Sequence, residues 1–147
     1  MVIRKANIDD VPEIAEIHQS EIHTGFLSRN GEPILPTLYR YLALNELLIV
    51  ASERDEISGF ISCSINKKRL YKNFLFRNFF VLMPSLTNRL FSYKFIKGVF
   101  ENIFSVSKSR ASENVLLPEL LSIAVRKDRA GQGVGQKLLY ALENELK

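Results

Sequence analysis

The chain has 147 residues, 46% of them hydrophobic and 24% charged, with a formal net charge of +4. That is one domain's worth of sequence with enough apolar material for a core, which excludes a disordered or low-complexity scaffold. A single cysteine, Cys63, excludes an internal disulfide, and no apolar run approaches the roughly 18 residues of a membrane span, so a cytoplasmic protein is expected.

Residues 1–5 read as a first strand rather than a signal peptide, since no apolar stretch with a cleavage site follows. Asp9 or Asp10 then caps a helix with Pro12 in its first turn, where a missing N–H costs nothing. Ile14, Ile17, His18 and Ile22 form its apolar face. Residues 25–31 form a loop, and 33–44 suit a second helix. The β-rich runs 47–52 and 57–65, joined at Arg54-Asp55-Glu56, have a hairpin pattern. The segment that follows differs from the rest. Residues 66–104 hold eight of the ten phenylalanines, and eight basic residues against Glu101 alone, a net +7 that leaves −3 elsewhere. Pro84 divides this insert of about 67–105, and a stripe at Leu86, Leu90, Phe95, Val99 and Ile103 predicts a helix beyond it, two helices in all. A polar return loop at 108–114 leads to a fourth strand over 118–125 and an amphipathic helix from Gly133 onward.

The junction of that strand and helix carries the chemistry. After Val125 and Arg126-Lys127-Asp128-Arg129-Ala130 comes Gly131-Gln132-Gly133-Val134-Gly135, then Gln136-Lys137-Leu138-Leu139. Glycines here let an anion approach backbone N–H groups that the first helical turn leaves unpaired, at the positive end of the helix dipole. A P-loop is excluded, because Gln136 stands five residues after Gly131 and Leu138 follows Lys137. A dinucleotide fingerprint is excluded too, because Gln136 takes the third glycine's place.

What remains resembles the coenzyme A motif of the GNAT acyltransferases: a strand, V-x-P-x-x-[RQ]-G-x-G-[IV]-G, then x-x-L-L on a helix. Val125, Gly131, Gly133, Val134, Gly135, Leu138 and Leu139 fall in register. Lys127 replaces the common proline, and Ala130 replaces arginine or glutamine, with Arg129 one place early. A subset of the family also has G-F-L-S after the first helix, a basic aromatic insert and an E-L-L-S-I-A-V strand. Here these are Gly25-Phe26-Leu27-Ser28, the insert, and Glu119-Leu120-Leu121-Ser122-Ile123-Ala124-Val125, so the likeness spans nearly the whole chain.

The resemblance implies a single α/β domain over 1–147, with a mixed, mainly antiparallel sheet flanked by helices and the insert between the third and fourth strands. It implies the N-terminal two-thirds of that fold, the C-terminal strands being absent, and hence an unpaired edge on the fourth strand that a second copy is expected to cover. The implied reaction is acetyl transfer from acetyl-CoA to a primary amine of a small molecule, amino sugar or protein, with no metal. Ala130, Gly131, Gln132, Gly133, Val134, Gly135 and Gln136 would hold the diphosphate, and the backbone of Ile123, Ala124 and Val125 the pantetheine amides. A backbone N–H near Ile123 or Ala124 would serve the oxyanion, a donor worth about 3–4 kcal/mol of barrier. An amine with pKa near 10.4 is only about 0.04% unprotonated at pH 7, so a base is wanted, and Glu119 is the candidate. Phe26 and Ser28 border the acceptor. The alternative is a non-catalytic acyl-CoA-binding or assembly module.

Other residues carry less. His18 and His23 are five apart, so they share no helix face for a metal pair and are expected in packing or surface roles. Cys63 alternates with apolar residues and is read as core. Tyr39 and Tyr71 offer no spacing argument. The insert's cations suit packing with a solvated rim, an anionic partner, or an anionic membrane surface, whereas no nucleic-acid reading motif accompanies them.

Overall fold

A computed structural model describes residues 1–23, 34–67, 69–70, 72–74, 76–78 and 118–147. The loop expected at 25–31, with Phe26 and Ser28, the second helix of the insert and the return loop at 108–114 lie outside the described residues. The chain divides into two compact units, residues 1–65 with 118–147, and residues 66–117. In the smaller unit the described residues between 67 and 78 are helical, started by the Asn66 side chain, whose Oδ1 accepts from the Arg69 N–H at 2.9 Å.

The larger unit is an α/β layer structure. In chain order it runs β1 (Val2–Lys5), α1 (Val11–Glu21), α2 (Leu35–Asn45), β2 (Leu47–Glu53), β3 (Glu56–Ser64), β4 (Glu119–Val125), a 3-10 turn (Lys127–Arg129) and α3 (Val134–Glu145). The four strands form one sheet in the order β1-β2-β3-β4. All three pairings are antiparallel, so the mixed character implied by the resemblance has no counterpart among the described residues. The β2–β3 hairpin turns on Arg54 and Asp55, with φ of 51° and 69°. Two successive positive φ values make the primed turn whose twist matches the flanking strands.

Alternation along the strands divides the core between two faces. Ile49, Ala51, Ile61 and Cys63 pack with Val134, Leu138 and Leu142 of α3, which recur every four residues on one helix face. Each of these aliphatic side chains contributes about 1.5–3 kcal/mol by burial. Burial also raises the Cys63 thiol pKa, helped by the charges of Glu46 and Glu119. On the other face Val50 pairs with Phe60, and Phe60 meets rings from both remaining helices, His18 of α1 and Tyr39 of α2.

The start of α1 differs in detail from the expected cap. Asp10 stands at the N-cap, yet its side chain makes no capping bond. Its carboxylate instead accepts from Arg4 Nη1 and Nη2 at 2.7 and 2.8 Å and from the Asn7 N–H at 2.7 Å. The Arg4 hydrogen bond outweighs burial and holds the carboxyl below its usual pKa. A bidentate cation on β1 is a stronger partner than a neutral backbone donor. Pro12 does fall in the first turn.

Candidate functional site

The approach to the glycine turn is fixed by Gly59 on β3. A Cβ there would lie 2.7 Å from the Ala124 carbonyl oxygen and 3.1 Å from Val125 Cα, so only glycine allows the end of β4 to come this close. Arg126 then anchors the chain as it leaves the strand. Its N–H donates to the Ser58 carbonyl, its Nε to the Ile57 carbonyl at 2.7 Å, and its Nη2 to Glu13 Oε1 at 2.6 Å. The 3-10 turn follows and delivers Gly131 and Gly133 at φ of 76° and 74°.

Positive φ at Gly131 and Gly133, with Gln132 between them on the negative side, is the alternation that turns successive N–H groups toward one concavity. Gly133 is the N-cap of α3 and supplies no side chain. The Ala130 and Gln132 amides are bonded to the Lys127 and Arg129 carbonyls. Those of Gly131, Gly133, Val134, Gly135 and Gln136 have no acceptor among the described residues. Gly131, Gln132 and Gln136 are exposed, and a Cβ on Gly131 would meet no atom within 4 Å. Five unpaired donors at the positive end of a helix make an open anion seat.

Side-chain charge around the seat differs from a simple reading of the motif. Arg129 donates to Glu53 at 3.3 Å and lies 3.7 Å from Asp128, so it is committed to carboxylates. The Gln132 side chain turns back to the Asp128 carbonyl at 3.2 Å. Lys127 and Lys137 are exposed and have no ion-pair partner among the described residues. Beside the 3-10 turn a cleft of ≈ 390 Å³ opens between α1 and the chain leaving β4, lined by Glu16, Ile17, Ser20, Glu21, Arg126, Lys127 and Asp128.

Ile123, Ala124 and Val125 end β4, an edge strand among the described residues that pairs only with β3. Glu119 begins the strand, opposite Ser64. It stands four positions before Ile123, about 13 Å at the strand rise of about 3.3 Å. The structure therefore joins the seat to the end of β4 but sets Glu119 at the strand's other end. No group of three or more His, Cys, Asp or Glu residues able to hold a metal occurs among the described residues. None of the described helices is long and apolar enough to cross a membrane.

One constellation had no signal in the sequence. His18 Nδ1 lies 2.6 Å from Tyr39 Oη, Tyr39 Oη 3.1 Å from Ser122 Oγ, and Ser122 Oγ 2.6 Å from Ser62 Oγ. These groups come from α1, α2, β4 and β3, and the bonded pairs Tyr39–Ser122 and Ser62–Ser122 join positions 83 and 60 residues apart. His18, Tyr39 and Ser62 are 5%, 1% and 0% exposed. Burial lowers the His18 pKa, which favours the neutral ring. Spacing within one element could not reveal this chain, because no two members share an element.

No protein-family model matches the chain, and no curated protein matches it. The likeness to the acyltransferases rests on the residues themselves.

Proposed function

We propose that this chain is a GNAT-type N-acetyltransferase domain that binds acetyl-CoA at residues 131–135 and moves its acetyl group to a primary amine. The observation that carries the reading is the set of five amides without an acceptor at an open glycine turn that follows an edge strand, among the described residues. A diphosphate matches the seat in charge and in its need for several donors. The pantetheine amides would pair with the outer edge of β4 at Ile123, Ala124 and Val125, as an added strand does. Lys127 and Lys137 would add long-range attraction.

The position of Glu119 favours one second reading. A carboxylate about 13 Å along the strand from Ile123 reaches an amine there only through intervening water, which suits a non-catalytic acyl-CoA-binding module equally well. Calorimetry tests the shared claim. Acetyl-CoA should bind the parent and Gly135→Ala alike. Gly131→Ala and Gly133→Ala should bind it at least tenfold more weakly (about 1.4 kcal/mol), and pantetheine, which lacks the diphosphate, should not register. Equal affinity in all four proteins would remove the turn from the site.

A further inference from the structure

The chain from His18 to Ser122 ends beside Ile123, where the proposed reaction needs a proton acceptor. We propose that Ser122 Oγ takes the proton an amine sheds on acylation, and that Tyr39 and His18 relay it into the core; this rests on the acetyltransferase reading. Three observations combine. The contacts of 2.6 and 3.1 Å are continuous from imidazole to strand. Ser122 is half-buried on the edge strand and, among the described residues, the least buried member of the chain. A β-bulge precedes it: Ser62 pairs with Ser122 while Cys63 pairs with Leu120, so Leu121 is the extra residue. Bulges are common beside active sites because they re-aim a side chain.

His18 Nε2 is buried and has no hydrogen-bond partner among the described residues. In the relay the hydroxyls of Ser62, Ser122 and Tyr39 each donate toward the ring, Nδ1 accepts, and Nε2 carries the hydrogen. As the amine nitrogen bonds the acyl carbon, the C–S bond breaks and its electron pair leaves on sulfur. The shed N–H proton passes to Ser122 Oγ, the Ser122 proton to Tyr39 Oη, and the Tyr39 proton to His18 Nδ1. The product is an amide, a thiolate and one imidazolium, which later returns its proton along the same path to the thiolate or solvent.

Around His18, α2 contributes Tyr39, β3 contributes Phe60, and β4 contributes Ser122 through Tyr39; its own helix has Glu21 three residues on, bonded to Ser20 and the Lys127 N–H. Burial is the sole cause of its lowered pKa, with no charged neighbour contributing.

The test uses the full chain, acetyl-CoA, and a pool of lysine, putrescine and glucosamine, following thiol release from pH 6 to 9. Tyr39→Phe and Ser122→Ala cut the relay at different atoms with little change of volume, and thermal unfolding checks that both fold. Each should lower thiol release at pH 7 by about 10²-fold or more, with the deficit shrinking as pH rises, while acetyl-CoA affinity by calorimetry is kept. Parent-like rates and pH profiles in both variants would overturn the relay and leave the acetyltransferase reading standing. Binding without thiol release also overturns it, since there is then no reaction to serve. Absence of acetyl-CoA binding to the parent overturns both.

Discussion

Gly133→Ala and Gly135→Ala, two residues apart, should change stability in opposite directions. At Gly133 the added Cβ meets only Gln136 Oε1 at 3.9 Å, so there is room for it. The cost is conformational: φ of 74° puts an L-residue in the left-handed region, at about 1–2 kcal/mol. At Gly135 the backbone is helical and the Cβ would sit 3.8 Å from Val125 Cγ2, an ordinary contact with the strand. Alanine there restricts the unfolded chain without strain and should stabilise by about 0.4–1 kcal/mol. For a chain near this length, 1 kcal/mol moves Tm by about 2–4 °C. Thermal unfolding by far-UV circular dichroism should show a drop of about 2–8 °C for Gly133→Ala and a rise of about 1–4 °C for Gly135→Ala. A parent-like Tm for Gly133→Ala would mean that the turn does not hold this φ, and the alternation that gathers the amides would be refuted with it.

Two other perturbations follow from the same contacts. Gly59→Ala places a Cβ 2.7 Å from the Ala124 carbonyl, so β4 must move; a loss of about 1–3 kcal/mol in denaturant unfolding is expected, together with weaker acetyl-CoA binding, and a parent-like midpoint would contradict the close approach. Burial lowers the His18 pKa in the fold, so the unfolded state binds the extra proton and stability falls as pH drops below about 6.5 toward the folded pKa. His18→Gln should flatten that acid slope in unfolding midpoints between pH 7 and 5, and an unchanged slope would assign it to other groups.

Much of the architecture was legible because it is local. Alternation and a short polar turn at Arg54-Asp55-Glu56 marked β2 and β3, whose bounds of Leu47–Glu53 and Glu56–Ser64 lie within a residue of the reading. Leu138 and Leu139 flanked by polar residues marked α3, and the paired glycines marked its start. The role of Asp10 was misread because the competing partner, Arg4, belongs to another element. Arg129, one place early against the motif, is engaged by Glu53 on β2, which the motif alone does not show. Gly59 gave no sign of its importance, since the atom that forbids a side chain there is contributed by a strand some 65 residues later. The polar chain at His18 was hidden for the same reason.

Strand β4 is where these local and distant features meet. Period two sends Ile123 and Val125 toward the α3 face and Ser122 toward α1 and α2. One side of the strand therefore packs against the helix whose N-terminus holds the unpaired amides, and the other side carries the hydroxyl that leads to His18. Gly59 sets the strand's approach at its end, and the bulge at Leu121 sets which residues face which layer ahead of it. A one-residue slip of β4 against β3 would exchange the faces of Ser122 and Ile123 and cut the chain from Tyr39. The anion seat would survive, because Arg126, fixed to Ile57, Ser58 and Glu13, re-anchors the backbone before the turn begins. Coenzyme binding and proton removal are thus separable in this fold, and a shift of register along β4 divides them more sharply than any change at the glycines.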